Sequence, residues 1–116
     1  MLLAPTRPPR EITVGFDKRR SLKVSWSPVL AYFTYGTVQG YKALYYEADS
    51  NMEEAKAQRA RVPAVGMVID GLKSYTNYCV SVAAFNENGV GNYSYPECNV
   101  TDEGGKNNIS LVLYRE

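Results

Sequence analysis

The 116-residue chain is 45% hydrophobic and 22% charged, which is the size and composition of one globular domain. Thirteen basic and twelve acidic residues give a net charge of +1, which is too weak to attract nucleic acid or an anionic membrane to the domain as a whole. The chain has no histidine and only two cysteines, which excludes Ser-His-Asp and Cys-His catalytic sites and the common tetrahedral zinc sites.

The first part of the chain predicts a linker and two strands. Pro8-Pro9 holds the backbone extended, so we interpret residues 1–5 as an added start or a linker and begin the domain at Thr6. Alternation of apolar and polar residues predicts strands over 11–16 and 21–27, joined by a polar turn. Their inward-facing residues are Ile12, Val14, Phe16, Leu22, Val24 and Trp26.

The middle of the chain contains a third strand and one ambiguous stretch. Tyr41, Ala43 and Tyr45 alternate with other residues and predict the third strand. Residues 50–60 have enough helix propensity for a single helical turn, but their apolar side chains are too small to bury a helix well. We therefore expect an edge strand over 58–62, with the helical turn as the alternative.

The last third of the chain has the clearest strand pattern. Residues 65–70 predict a strand that turns Met67 and Ile69 inward, and residues 78–85 predict the longest strand. A hairpin rich in Asn and Gly then leads to a final strand over 95–101. Seven short strands joined by turns describe an all-β fold, a seven-stranded antiparallel β sandwich.

Three segments carry the pattern of a known family, one of which is the third strand, Gly-Tyr-Lys-Ala-Leu-Tyr at 40–45. Trp26-Ser27-Pro28 ends the second strand, and Gly-Leu-Lys-Ser-Tyr-Thr-Asn-Tyr at 71–78 looks like a leucine-to-tyrosine corner. With the other strands, they make residues 6–103 resemble a fibronectin type III domain, which implies an immunoglobulin-like sandwich of that topology. The acidic and alanine-rich stretch 50–57 is similar to modules of neural immunoglobulin-superfamily adhesion proteins such as contactins.

The core is expected between the two sheets. The Tyr78 ring should be buried, with its hydroxyl bonded to the backbone near Leu72, and Trp26 should fill the space between the sheets. Residues 104–116 are interpreted as a tail or the start of a next module. The residues expected in the core are Leu22, Val24, Trp26, Tyr41, Tyr45, Met67, Ile69, Leu72, Tyr78, Val80 and Val82.

Aromatic residues in two connections predict a surface for a protein partner. In an up-and-down order of strands, Tyr32, Phe33 and Tyr35 share one pole of the sandwich with Tyr93 in the last hairpin. Tyrosine offers a large contact area with only two side-chain torsions to fix, which suits recognition. The alternative is that these rings fold back over the end of the core.

A basic turn gives a second candidate surface. The run Lys18-Arg19-Arg20, together with Arg7, Arg10 and Lys23, could present a basic edge to heparan sulfate. Because the net charge is near zero, a solvated turn without a partner is the preferred interpretation.

No catalytic residue, cofactor or metal site is predicted. Gly89 and Gly91 belong to a hairpin and do not form a phosphate-binding sequence. The acidic pairs Glu53-Glu54 and Asp102-Glu103 lack the partners that a calcium loop or a glycosidase site needs. No apolar stretch approaches the roughly 18 residues of a membrane-spanning helix, so we expect the module itself not to insert into a membrane.

Cys79 and Cys98 are either one disulfide or two buried thiols. Cys79 alternates with Tyr78 and Val80 and so points away from the core, where an unpaired thiol is a liability in an oxidising compartment. We expect a disulfide, provided that Cys98 lies opposite Cys79 on the outer face. That register turns Asn99 toward the core, so the disulfide and a glycan at Asn99 should exclude each other.

Three N-x-Ser/Thr sequons, at Asn92, Asn99 and Asn108, are candidate glycosylation sites, where about one is expected by chance. A glycan at Asn92 would crowd the aromatic pole.

The sequence favours a non-catalytic module. The resemblance implies an extracellular or cell-surface spacer and recognition unit of a multi-domain adhesion protein or receptor. Its partners would be other extracellular proteins or neighbouring modules of the same chain. The alternatives are an accessory linker module of a secreted enzyme and a cytosolic binding module, which predicts reduced thiols and no glycan. The fold does not by itself identify a partner.

Overall fold

The computed structural model describes residues 3–29, 37–50 and 52–102, which form two antiparallel sheets. The strands are β1 (Arg10–Phe16), β2 (Leu22–Ser27), β3 (Gly40–Glu47), β4 (Lys56–Arg61), β5 (Gly66–Ile69), β6 (Asn77–Asn86), β7 (Gly89–Val90) and β8 (Glu97–Val100). One sheet has the order β1-β2-β5. The other has the order β4-β3-β6, and β7 and β8 both pair with the remaining side of β6.

The predicted all-β sandwich is confirmed, but it has eight strands instead of seven in the described residues. The additional strand is β7, which has two residues and pairs with the end of β6 directly after the hairpin turn. Residues 91–96 then leave the regular ladder, and pairing with β6 resumes only at β8. Pro96, which has no N–H to donate, lies in this break.

The ambiguous stretch before β4 contains both structures that the sequence allowed. Met52–Glu54 forms a single 3-10 turn, and the edge strand follows as β4. β4 begins and ends earlier than the predicted strand over 58–62. Its residues are exposed or half-buried, as expected for a strand at the solvated edge of a sheet.

The core consists of the inward-facing residues of β2, β3, β5 and β6 and of the corner before β6. Trp26 packs against Tyr41 with ring centroids 5.2 Å apart and ring planes tilted by 52°. Tyr78 is buried, and its hydroxyl accepts a hydrogen bond from the backbone N–H of Lys73 at 3.0 Å. The buried members of the core are Leu22, Val24, Trp26, Tyr41, Ala43, Ile69, Leu72, Tyr78, Val80, Val82 and Ala84.

Two of the residues expected in the core lie at its margin. Tyr45 and Met67 pack against the buried cluster but are only partly buried themselves. Tyr45 also lines a surface cleft, and Met67 lies on β5, which is an edge strand of the smaller sheet. An inward position therefore does not by itself give full burial, since Ile69 on the same edge strand is completely buried and Tyr45, with strands on both sides, is not.

β1 departs from the predicted alternation. Its register with β2 shifts near Glu11, whose φ is 56°. Ile12 and Val14 still pack against the core, but Phe16 is 40% exposed. The inward prediction for Phe16 is wrong because this residue ends an edge strand, where the sheet that would cover it stops.

Side-chain amides join the two sheets along both open sides. On one side, Gln58 of β4 donates a hydrogen bond from Nε2 to the backbone oxygen of Val68 in β5 at 2.9 Å. On the other side, Asn99 of β8 donates from Nδ2 to the backbone oxygen of Val14 in β1 at 2.6 Å. Each contact satisfies a backbone acceptor near a sheet edge and links strands that belong to different sheets.

Some of the predicted site residues, and the predicted tail, lie outside the described residues. This applies to Tyr32, Phe33, Tyr35, Asn108 and the segment 104–116. Within the ranges that the structure covers, no helix is long and apolar enough to cross a membrane.

Candidate interaction surface

Three connections between strands meet at one end of the sandwich. They are the β2–β3 connection, of which residues 28–29 and 37–39 are described, residues 62–65 between β4 and β5, and residues 87–88 between β6 and β7, and we call this end the upper pole. The backbone N–H of Val62 donates to the oxygen of Gln39 at 3.1 Å, which ties the second connection to the first. The upper pole is therefore one surface to which both sheets contribute.

The upper pole exposes two valines on either side of a short turn. Val62 and Val65 are each 42% exposed. The oxygen of Val65 accepts a hydrogen bond from the backbone N–H of Trp26 at 3.0 Å, so the backbone that carries this side chain is held against β2. Neither residue was predicted as a site, because in the sequence Val62 and Val65 look the same as valines that end or begin a buried strand.

The first three aromatic candidates belong to the connection between β2 and β3. Tyr32, Phe33 and Tyr35 themselves lie outside the described residues. Val29 and Val38, on either side of them, both pack against the core. This connection therefore starts and ends at the upper pole.

Tyr93 was predicted to lie in the last hairpin at this pole, but it follows β7 and lies outside the β6–β7 hairpin. Its neighbours Gly91 and Ser94 donate backbone N–H groups to the oxygens of Ala84 at 2.8 Å and Val82 at 2.9 Å. Tyr93 is therefore half-buried beside β6 and further from the upper pole than predicted. The cause is the break after β7, through which the chain passes back along β6 before β8 begins.

A cation–π contact covers an aromatic ring near the upper pole. The guanidinium carbon of Arg59 lies 4.6 Å from the ring centroid of Phe85, which is 9% exposed. Gly40 lies beside this ring, since an ideal Cβ there would come within 2.8 Å of the Phe85 Cζ atom. The charge on edge strand β4 thus shields the Phe85 ring from solvent.

The opposite end, which we call the lower pole, contains a polar cleft of about 380 Å³. Glu47 and Lys73 form an ion pair at the cleft with an N–O distance of 2.8 Å. The hydrogen bond to Glu47 and the negative charge of its carboxylate raise the pKa of Lys73. Glu54, Lys56 and Asp70 also line the cleft, so it carries both signs of charge. No cluster of three or more metal-ligating side chains is found in the described part of the chain.

The structure divides the predicted basic edge: Lys18-Arg19-Arg20 lies at the lower pole, whereas Arg10 pairs with Ser27 at the upper end of β1. The ammonium of Lys18 is 3.7 Å from the carboxylate of Asp70, and both side chains are largely exposed. The backbone of Arg20 bonds on both sides, since its N–H donates to Asp102 at 2.7 Å and its oxygen accepts from Leu72 at 3.1 Å. The basic turn therefore helps to close the lower pole. Its use by heparan sulfate stays a prediction.

Cys79 of β6 and Cys98 of β8 form a disulfide, with their Sγ atoms 2.02 Å apart. The two residues are direct partners in the antiparallel register of these strands. Val100, which shares a face of β8 with Cys98, is 50% exposed, so the disulfide lies on the outer face of the sheet. This is the register that the sequence analysis required for the bond.

The asparagine and the threonine of the sequon at Asn99 both form hydrogen bonds within the domain. Asn99 was predicted to face the core, but it lies exposed at the seam between β8 and β1, where its Nδ2 donates to Val14. Thr101 is fully buried, and its hydroxyl oxygen accepts the backbone N–H of Thr76 at 3.1 Å. Asn99 lies at the seam because β8 is an edge strand, so its inner face meets β1 and not the core.

The sequon at Asn92 has a similar arrangement. The Nδ2 of Asn92 donates to the backbone oxygen of Thr6 at 2.6 Å. The hydroxyl of Ser94 accepts the backbone N–H of Val82 at 3.0 Å. Glycosylation of this exposed asparagine stays a prediction.

The described fold and its tyrosine corner agree with the outcome of a comparison with protein families. Residues 7–98 match the family described as "Fibronectin type III domain". The chain belongs to this family. The resemblance inferred from Trp26 and from the corner between Leu72 and Tyr78 is thereby confirmed.

This fibronectin type III domain is also similar to parts of much longer proteins. It is 35% identical to "Cell adhesion molecule Dscam2" of Drosophila melanogaster over 79% of the chain, and 36% identical to "Protein sidekick-2" of Gallus gallus over 97% of the chain. It is 33% identical to "Protein sidekick-1" of Homo sapiens, again over 97% of the chain. The domain spans only 4–5% of the length of these relatives.

Solved structures place the domain in the same fold. The crystal structure of chicken CNTN1 FN1-FN3 domains superimposes with a TM-score of 0.78 at 27% identity, over 86% of this chain and 33% of that one. A solution structure of an fn3 domain of human contactin 1 has a TM-score of 0.76 at 23% identity, over 90% of this chain and 87% of that one, which shows the fold alone. The similarity to contactin modules inferred from the sequence is therefore confirmed.

Proposed function

We propose that this domain is a non-catalytic interaction and spacer module of a multi-domain cell-adhesion protein, located outside the cell or at its surface. The observation that carries the proposal is the similarity of almost the whole chain to short parts of long proteins, of which Dscam2 is named a cell adhesion molecule. Its partners are other extracellular proteins or the neighbouring modules of its own chain.

The path of the chain supports the role of a spacer. Residues 3–6 lie beside the β6–β7 hairpin at the upper pole, and Asp102 is bonded to Arg20 at the lower pole. β6 has ten residues and connects the two ends, which corresponds to about 30 Å of extended chain. Because the chain enters and leaves at opposite ends, a row of such modules extends a protein along its length.

The disulfide supports the extracellular location. Cys79 and Cys98 are bonded on the outer face of the larger sheet, and disulfides persist mainly in oxidising compartments. A cytosolic binding module, the alternative considered from the sequence, predicts two free thiols at these positions.

The upper pole is the proposed recognition surface. It combines the exposed Val62 and Val65 with the connection that carries Tyr32, Phe33 and Tyr35. Tyrosine is enriched among the residues that contribute most of the binding energy in protein interfaces, and the centre of an interface is more apolar than its rim. The lower pole, in contrast, contains two ion pairs within the domain, Lys18–Asp70 and Lys73–Glu47.

The experiment compares two changes of equal chemistry in the complete protein that carries this domain, displayed on cells in an aggregation assay. Val62→Ser with Val65→Ser changes the upper pole, and Val100→Ser changes a slightly more exposed valine on β8. We expect aggregation to fall at least about tenfold for the double variant, since that loss corresponds to about 1.4 kcal/mol of binding free energy. The Val100 variant should aggregate like the parent protein.

Two results would contradict the proposal. Equal aggregation by the double variant and the parent excludes the upper pole as the recognition surface. In a second experiment, the whole domain is replaced by an unrelated β sandwich of similar length. If aggregation is unchanged, this domain acts only as a spacer and not in recognition. Surface expression and the retained disulfide are measured for each variant, so that loss of folding is not mistaken for loss of binding.

A further inference from the structure

Residues 3–6, which we call the strap, lie along the β6–β7 hairpin. The carbonyl oxygen of the first strap residue accepts hydrogen bonds from Nδ2 of Asn86 at 3.0 Å and from Nδ2 of Asn88 at 3.3 Å. The oxygen of the last strap residue accepts one from Nδ2 of Asn92 at 2.6 Å. Asparagine side chains from one hairpin and the segment after it thus hold both ends of the strap.

Gly91 allows the middle of the strap to come close. An ideal Cβ at Gly91 would overlap the carbonyl oxygen of Pro5 and lie 3.1 Å from the Pro5 Cβ atom. The φ of Gly91 is outside the left-handed region, so the missing side chain serves this close approach and not a turn. We call the set Asn86, Asn88, Gly91 and Asn92 the clasp.

The chemistry of the clasp suits an extended backbone. Its three donors bond to backbone oxygens, which every residue type offers, so they recognise the course of the chain more than its side chains. Pro5, at the centre of the strap, is buried. Proline has no N–H and has a restricted φ, so it can be buried there without an unpaired donor and with little loss of backbone entropy.

The hairpin that carries the clasp is itself well ordered by hydrogen bonds. Asn86 is 5% exposed, and its Oδ1 accepts the backbone N–H of Asn88 at 2.8 Å. The backbone N–H of Gly91 donates to Ala84 of β6 at 2.8 Å. The clasp is therefore fixed to the central strand of the larger sheet, and a segment bound to it takes the orientation of that sheet.

We propose that the clasp is a docking site for an extended, proline-containing stretch of backbone, and that its occupant is the strap of the same chain. Docking of the strap fixes the direction in which the chain enters the domain. The segment before Thr6 was interpreted from the sequence as a linker. As a docked strap it is a structural part of the domain, and it couples the orientation of the preceding part of the chain to the sandwich.

The test measures the mobility of the strap in solution by ¹⁵N relaxation of the amides of Leu3, Ala4 and Thr6. In the parent chain, order parameters of about 0.8 or higher are expected for Ala4 and Thr6, as in rigid backbone, and in Gly91→Ala they should fall below about 0.6. Gly15→Ala is the matched control, because a Cβ at that position on β1 meets no atom within 4 Å. The control should leave the strap rigid.

A second variant removes donors and adds no atoms. Asn88→Ala with Asn92→Ala takes away one bond at each end of the strap and leaves Asn86 to hold the turn. It should raise the mobility of the strap, while the amide of Gly91 stays protected from hydrogen exchange by its bond to β6. If Gly91→Ala does not fold, this variant decides the question alone.

The proposal is overturned if Ala4 and Thr6 of the parent chain relax like an unstructured tail. It is also overturned if their order parameters are the same in the parent and in the donor-deleted variant, since the clasp then does not hold the strap. Residual dipolar couplings give an independent check. The couplings of a docked strap should fit the alignment tensor of the sandwich, whereas those of a free strap should not.

Discussion

The two poles of this domain differ in how their connections are used. At the lower pole, the ion pair between Glu47 and Lys73 and the bonds of Tyr78 and Arg20 to neighbouring backbone satisfy the polar groups within the domain. At the upper pole, the backbone is held just as firmly, but Val62 and Val65 face solvent. The comparison shows two described ends of the sandwich that differ in chemistry: the lower pole forms ion pairs and polar contacts, whereas the upper pole exposes two apolar side chains.

The largest expected effect is on the core that supports the upper pole. Trp26→Ala removes the ring that packs on Tyr41 and should lower the free energy of unfolding by about 3 to 5 kcal/mol. Urea unfolding followed by far-UV circular dichroism measures the loss. Trp26→Phe, which keeps a ring in the core, is the control and should lose much less. A loss below about 1 kcal/mol for Trp26→Ala would contradict the position of this residue in the core.

Removal of the disulfide is the next largest change. Cys79→Ala with Cys98→Ala opens a loop with a sequence separation of 19 and should cost about 3 kcal/mol, mainly because the unfolded chain gains freedom. The loss is measured by urea unfolding against the oxidised parent. An equally stable variant would show that the bond contributes nothing to the folded domain.

The same bond bears on the use of the neighbouring sequon. Peptide mapping without reduction, on protein from a eukaryotic secretory host, should recover Cys79 and Cys98 as one bonded pair with Asn99 unmodified. Asn99 should stay unmodified because its Nδ2 is bonded to Val14 and its sequon threonine is buried. A bonded pair together with a glycan on Asn99 would contradict the expected exclusion.

A smaller effect separates the two poles directly. Tyr78→Phe deletes the hydroxyl that accepts the N–H of Lys73 and should lower the free energy of unfolding by about 1 kcal/mol, without a change in cell aggregation. The paired change Val62→Ser with Val65→Ser should do the opposite, with stability within about 0.5 kcal/mol of the parent and aggregation reduced. The reverse pattern would show that the roles assigned to the poles are wrong.

The smallest expected effect is the pH dependence of the ion pair at the lower pole. The pKa of Lys73 is raised in the folded domain, first by its hydrogen bond to Glu47 and then by the carboxylate charge. A cation with a raised pKa stabilises the fold fully below its ordinary value of 10.5, and the contribution disappears as the pH rises through the folded pKa. Stability curves of the parent and Lys73→Gln should therefore converge above that range.

The control for this measurement is Lys23→Gln, a lysine of β2 outside the cleft, whose curve should stay parallel to that of the parent. Because both side chains of the pair reach solvent, salt should reduce the difference between the parent and Lys73→Gln. If the stability curves of the parent and of Lys73→Gln stay equally far apart from pH 8 to pH 12, the role of the ion pair is contradicted.

The strands of this domain were readable from the sequence because their signal is local. Residues 78–85 were predicted as the longest strand and appear as β6, and the stretch before β4 yields both the turn and the edge strand that were considered. The exposed end of β1 at Phe16 was not readable, since alternation assigns a residue to a face but does not tell where the covering sheet stops.

The candidate surfaces were readable only in part, because they depend on contacts between distant residues. Tyr93 was predicted to lie in the last hairpin because no local signal marks the two-residue strand β7 and the break that follows it. The asparagines at 86, 88 and 92 look like turn residues and a sequon. Their bonds to the strap join residues more than 80 positions apart, which no periodicity records.

By itself, the sequence determined the class of the fold, the inward residues and the tyrosine corner, because period-two alternation and short turn motifs act within a few residues. Only the tertiary structure decided which inward residues are fully covered, which register brings Cys79 opposite Cys98, and which backbone oxygens the side chains of Gln58, Asn92 and Asn99 reach. These features depend on the relative placement of strands and segments that are distant in the chain, and that placement is set by the packing of the whole core and not by any single segment.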